Sequence, residues 1–112
     1  MAKYEAELKG NFDEILSAVN NAIMSKSASA TLEEKSDFAL ENARCSVRIY
    51  ERYSYSGQNR VSLSISLFES NGRIFVSAVT SGGSQAIFLK VNTFGEKSFL
   101  DIVTGTLDKF KK

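Results

Sequence analysis

The chain contains no histidine and no proline, and its one cysteine is Cys45. Without histidine, Ser-His and Cys-His catalysis and imidazole metal sites are excluded together. One thiol closes no intramolecular disulfide and builds no thiolate zinc or iron–sulfur site, so no metal or cofactor is expected. A reducing, cytoplasmic compartment fits that cysteine usage. The start, Met1-Ala2-Lys3-Tyr4-Glu5, lacks the apolar centre of a signal peptide, and no apolar run approaches the ~20 residues of a membrane helix, so no membrane partner is expected. Excess charge of one sign is missing too: 14 Lys and Arg stand against 13 Asp and Glu, a net charge of +1. The global field therefore does not draw polyanions, and a bulk nucleic-acid binder would be more basic.

What the chain has is alternation. With 112 residues, 43% hydrophobic and 24% charged, it is read as one domain over 1–112 that needs no staples to fold. Val61, Leu63, Ile65 and Leu67 interleaved with Ser62, Ser64 and Ser66 make a strand with one core face and one serine face. In Ala43 to Tyr55, Cys45, Val47 and Ile49 alternate with Arg44, Ser46, Arg48, Tyr50 and Arg52, which reads as a half-buried strand with the arginine side outward and Cys45 as a buried structural thiol. Turn residues at Ser56-Gly57-Gln58-Asn59, Asn71-Gly72 and Gly82-Gly83 separate further segments. Arg73 to Thr80 has apolar residues on both sides, as in a strand covered on both faces, and Ala86 to Val91 reads as the last strand.

Lys3 to Lys9 alternates as a first strand, and Ser27 to Glu33 as another. Beyond Glu33 the pattern either resumes after a polar turn at Lys35-Ser36-Asp37 or continues through a bulge. Two stretches carry helical spacing instead. Asn11 has the form of an N-cap with Glu14 three residues on, ahead of Phe12, Ile15, Leu16, Val19 and Ile23. Thr93 and Glu96 form a capping box, followed by Phe99, Leu100, Val103, Leu107 and Phe110; Gly105 inside that helix marks either a close approach to the sheet or a simple weak spot.

Four of the five arginines, Arg44, Arg48, Arg52 and Arg60, crowd into the window 43–60 with only Glu51 against them, a local charge of +3. Arg forks beside the Tyr50 ring are suited to phosphate or a base. The structural alternative is cross-strand pairing with Glu33, Glu34, Asp37 and Glu41, since 28–42 carries −3. Tyr53 and Tyr55 fall with Glu51 on the Cys45 side, which either aims that carboxylate at the core, leaves it at a solvated strand end, or requires a bulge. Thr80 to Gln85 offers Gly-rich backbone flanked by hydroxyls but matches no phosphate-loop pattern, and a hairpin turn is the simpler reading.

The runs Arg48-Ile49-Tyr50-Glu51-Arg52-Tyr53-Ser54-Tyr55, Arg60-Val61-Ser62-Leu63 and Phe75 to Ala86, ending in Asn92-Thr93-Phe94-Gly95-Glu96, resemble a small family of bacterial proteins classed as a domain of unknown function. The resemblance spans nearly the whole chain, implies a cytosolic bacterial protein, and transfers no activity and no site residues. The element order also resembles a reduced helix-grip arrangement, a likeness of fold alone.

These readings combine into an α+β domain. An antiparallel meander of roughly five to seven strands, in the order β-α-β-β-β-β-β-α, has an N-terminal and a C-terminal helix on one face. The function expected is a non-catalytic binding module, with a small ligand held between sheet and C-terminal helix by Phe94, Phe99, Val103, Tyr53 and Tyr55. The alternatives are an interaction protein, homodimeric or hetero-partnered, using the Ser/Arg/Tyr sheet face, and a single-stranded nucleic-acid binder using Arg44, Arg48, Tyr50 and Arg52. The ligand-binding candidates are thus Arg44, Arg48, Tyr50, Arg52, Tyr53 and Tyr55, and no residue is assigned a catalytic role.

Overall fold

Period-2 segments become sheet and period-3.6 segments become helix. The computed structural model describes residues 1–54, 58–82 and 89–112, the last stretch with side chains from residue 95 onward. In order the chain forms β1 (Ala2–Leu8), α1 (Phe12–Lys26), β2 (Thr31–Leu40), β3 (Ala43–Ser54), β4 (Asn59–Ser70), β5 (Arg73–Gly82) and α2 (Leu89–Asp108). The strands make one antiparallel sheet, β1-β5-β4-β3-β2, with both helices on one face. The α+β class, the antiparallel sheet and the two terminal helices are as the alternation implied.

Local chemistry explains the boundaries. Asn11 sits extended at φ −98°, and its Oδ1 accepts the Glu14 amide at 2.9 Å, so α1 starts where the N-cap was expected. Its stripe of Phe12, Ile15, Val19, Ala22 and Ile23 is buried. Between β4 and β5, Asn71 and Gly72 take φ of 52° and 77°, the left-handed pair that a two-residue hairpin requires. α1 leads from β1 at one edge of the sheet to β2 at the other.

Four expectations change. The strand expected from Ser27 begins only at Thr31, and it runs on through a register shift between Leu32 and Glu34, so the bulge, and not a polar turn, carries it to Leu40. The final strand expected at Ala86–Val91 is not formed at its end: Leu89–Val91 already belong to α2, and 86–88 lie outside the described residues. A short apolar run of that length does not distinguish strand from buried helix. Thr93 is therefore inside α2 and does not start it, while Glu96 is buried beside the Met1 amino group at 2.9 Å. β5 is covered on one side only: Ile74, Val76, Ala78 and Thr80 are buried, whereas Phe75 keeps 40% of its surface exposed. Among the described residues no helix is long and apolar enough to cross a membrane.

The core lies between the sheet and the helices. Val61, Leu63, Ile65 and Leu67 from β4 and Ile74, Val76 and Ala78 from β5 meet Ile15, Val19 and Ile23 from α1 and Phe99, Val103 and Leu107 from α2. The close approach of helix and sheet falls at Gly95, not at Gly105. A Cβ on Gly95 would overlap the Ser54 hydroxyl and lie 3.2 Å from Ser54 Cβ, whereas one on Gly105 would meet nothing within 4 Å. Gly105→Ala should thus raise stability by about 0.5–1 kcal/mol through helix propensity alone. Gly95→Ala should lower it by about 1–3 kcal/mol through overpacking, with partial rescue by Ser54→Gly. Urea denaturation of the three variants checks both signs.

Candidate interaction surface

The pairing of β3 with β4 decides which side of each strand meets the helices. Tyr50 stands opposite Leu63, Arg48 opposite Ile65, Arg52 opposite Val61 and Ser46 opposite Leu67. Because Val61 to Leu67 face the core, the arginine side of β3 faces it as well, and Cys45, Val47 and Ile49 are turned to the uncovered side. The expected orientation of β3 is therefore inverted. Arg44, Arg48, Tyr50 and Arg52 do share one face, but it lies under the helices and not on the open sheet.

Each of these side chains is already engaged. Tyr50 is 1% exposed and donates its hydroxyl to Asn20 Oδ1 on α1 at 2.7 Å; burial pushes its phenol pKa up. Arg44 grips Asp13 of α1 with two hydrogen bonds, at 2.9 and 3.1 Å, and lies 4.0 Å over the Phe12 ring. Arg52 lies 4.6 Å over Phe99 of α2 and donates to Ser98 Oγ at 3.0 Å, while burial pushes its guanidinium pKa down. Arg48 pairs with Asp37 across the β2–β3 ladder at 3.0 Å. The Ser46 hydroxyl, and after it Arg48, holds the Asp37 carboxyl below its ordinary range. Of the arginines of β3, the expected pairing with the acids of β2 thus accounts for Arg48; Arg44 and Arg52 seal the rim of the core with their planes and stems. Arg60 reaches Glu51 at 2.9 Å on the open side, so Glu51 is not aimed at the core.

The positions proposed to line a cavity do not gather round one space. Phe99 and Val103 are fully buried in the core cluster, and Tyr53, opposite Arg60, belongs to the other face of the sheet. Tyr55, the side chain of Phe94 and residues 83–85 of the Thr80 to Gln85 stretch lie outside the described residues, while Thr80 to Gly82 end β5.

The uncovered face gathers something else. One row crosses the sheet from β2 to β1, each residue opposite the next: Phe38, Cys45, Phe68, Phe75, Glu7. Phe38 is 67% exposed, Phe68 44% and Phe75 40%, and Leu40 beside them is 80% exposed. Cys45 is half-buried among them and is not a core thiol. Phe38, Leu40, Ala43, Cys45 and Phe68 line a groove of about 340 Å³. The remaining rows of this face are carried by Ser62, Ser64 and Ser66, as their alternation implied, and Ser62 and Ser81 share a hydroxyl contact at 2.8 Å. The sequence signal for this row was an aromatic in the serine register: Phe68 continues Ser62, Ser64 and Ser66.

The two edges of the sheet differ. All ten residues of β2 are exposed, on both faces. At β1 residues 110–112 meet the last residues of the strand: the Lys9 amide donates to the Phe110 carbonyl at 2.8 Å, the Lys112 amide to the Glu7 carbonyl at 3.0 Å, and Leu8 bridges Lys111. Glu7 anchors that corner, accepting from Arg73 at 3.0 Å twice and from Lys112 at 3.1 Å, while Arg73 spans the Phe75 ring at 5.1 Å. Chemically, the surface offers apolar rings and, on the outer side of β2, strand backbone that no described strand uses. Among the described residues no group of three Cys, Asp or Glu could hold a metal.

Fold and surface together define a two-layer α+β domain in which, among the described residues, one sheet face is uncovered and β2 is an open edge strand. The chain belongs to the family of unknown function DUF6054, whose model matches residues 1–111. No curated protein matches it, and neither does any solved structure.

Arg73 first, and then Lys112, hold the Glu7 carboxyl down at about 2 against an ordinary 4.5. A depressed carboxylate stabilises the fold above its unfolded pKa, and that stabilisation is lost as pH falls through the folded value. Glu7→Gln should therefore flatten the loss of stability between pH 4.5 and 2. Urea midpoints across that window check this; a fall parallel to wild type would remove the ion pairs from the account.

Proposed function

We propose that this chain is a non-catalytic interaction module that binds another polypeptide through the uncovered sheet face around Phe38 and Phe68 and along the β2 edge. The observation that carries the reading is the exposed row of Phe38, Phe68 and Phe75 running into a strand whose ten residues are all exposed. Contiguous apolar side chains on a soluble surface mark places where a partner removes them from water, at about 25 cal/mol per Å². An edge strand adds backbone donors and acceptors to that apolar area, the arrangement by which sheets accept an added strand. The arginine-rich face, the other candidate, is occupied by α1, α2 and their side chains.

A photo-crosslinking residue placed at Phe38 or Phe68 in the full chain tests this in cells. Both positions should yield one discrete polypeptide adduct that Phe75→Ser suppresses, and Ser17 on the exposed side of α1 should yield none. Adducts from all three positions alike, or from none, would overturn the reading. Phe68→Ser should leave the fold intact, costing no more than about 1–1.5 kcal/mol because the ring is only partly removed from water.

A further inference from the structure

Resting on that reading, we propose that the polypeptide pairing with β2 is a second copy of this chain, antiparallel, with Ser36 facing its own counterpart across a two-fold axis. β3 uses one side of β2, and among the described residues no strand uses the other. A two-fold axis perpendicular to the sheet keeps the faces of both copies aligned, so residues of like parity meet across the new ladder.

Charge selects the register. Centred on Ser36, the pairing sets Lys35 opposite Asp37 of the second copy, twice, and Glu34 opposite Phe38, twice. Moving the centre by one residue sets Lys35 against Lys35 or Asp37 against Asp37. Only the Ser36 centre, of these three, joins opposite charges without opposing like ones.

Lys35 supplies an independent reason. Within one chain it stands directly opposite Arg48 across the β2–β3 ladder, a like-charge pairing. It lies in the field of Asp37, two residues along its own strand, but no described carboxylate forms an ion pair with Lys35. The second copy's Asp37, held at Oδ1 by its own Arg48 and Ser46 and with acceptor capacity left on the carboxylate, would stand directly opposite Lys35. On the other face the stem of Glu34 would cover the Phe38 ring, extending the apolar row across the axis. The register shift between Leu32 and Glu34 bends the strand there, so the contact centres on the regular stretch from Glu34 to Phe38 and its neighbours.

Sedimentation equilibrium on the full chain tests the proposal. The wild-type protein should reach the mass of two chains. Lys35→Glu alone and Asp37→Lys alone, each checked for the wild-type circular dichroism spectrum, should weaken dimerisation by roughly tenfold or more, because two exposed pairs turn from attraction to repulsion. An equimolar mixture of the two variants should recover the dimer. In the mixed pair each introduced charge faces its opposite, while the unaltered Lys35 still faces the unaltered Asp37. A wild-type monomer at high concentration, a dimer indifferent to both substitutions, or a mixture without recovery would each overturn the pairing. If in addition the Phe38 crosslink leads to a different protein, self-pairing fails while the interaction reading stands; if no crosslink forms, both fail.

Discussion

The register between β3 and β4 is the constraint on which the rest of this structure depends. Twelve consecutive pairs, from Ala43 with Ser70 to Ser54 with Asn59, run without a shift. A slip of one residue would turn every side chain of β3 to the opposite face. In the register observed, a tyrosine lands opposite Leu63 in the middle of the core, where its ring fills the space between β3 and α1 and its hydroxyl finds Asn20. A buried phenol without that acceptor would carry an unmet donor, costing about 1–3 kcal/mol. The Tyr50–Asn20 contact thus locks the sheet to α1 in one relative position.

Geometry then decides what stays uncovered. Helices pack about 8–10 Å apart and strands about 4.8 Å apart, so two helices side by side cover roughly four strands. α2 lies over β1, β5 and β4, α1 reaches β4 and, through Tyr50 and Arg44, β3; β2 is left outside the layer. That is why the arginines of β3 sit where they do. They stand at the border of the helix layer, where a guanidinium can rest on a buried ring and still reach water or a carboxylate. Arg44 on Phe12 and Arg52 on Phe99 close the rim, one against each helix.

Much of this was legible because period and caps are local. The Asn11 cap, the α1 stripe, the Val61 to Leu67 strand and the Asn71-Gly72 turn each depend on a few neighbouring residues, and each holds in the structure. The side of β3 that faces inward was not local. Cys45, Val47 and Ile49 look more apolar than Arg44, Arg48 and Arg52, and only pairing with β4, set at a distance along the chain, overrules that contrast. The candidate surface was misplaced for the same reason: once β3 turns over, its arginines go under the helices and its small apolar residues come out beside Phe38, Phe68 and Phe75. Gly95 and Gly105 show the same limit, since nothing within α2 tells which glycine lies against Ser54.

The contrast between the two edges gives the exposed strand its meaning. An uncovered edge invites indiscriminate addition of strands, and charged side chains along it are the common defence. β2 carries Glu33, Glu34 and Asp37, which set acid against acid when a self-pairing is centred on Glu33, Glu34, Lys35 or Asp37, and not when it is centred on Ser36. Lys35 breaks that uniformity at one position, two residues from Asp37, and turns a repellent edge into one that is complementary to itself in a single alignment. At the far side of the sheet, the Glu7–Leu8 end of β1 is taken up by residues 110–112 and by Arg73, and its sequence does not match β2, so a copy added at β2 finds no matching edge to continue from there. A two-fold pairing of β2 with β2 uses that edge in both copies and stops at two chains, whereas an edge complementary to a different edge would propagate a fibre.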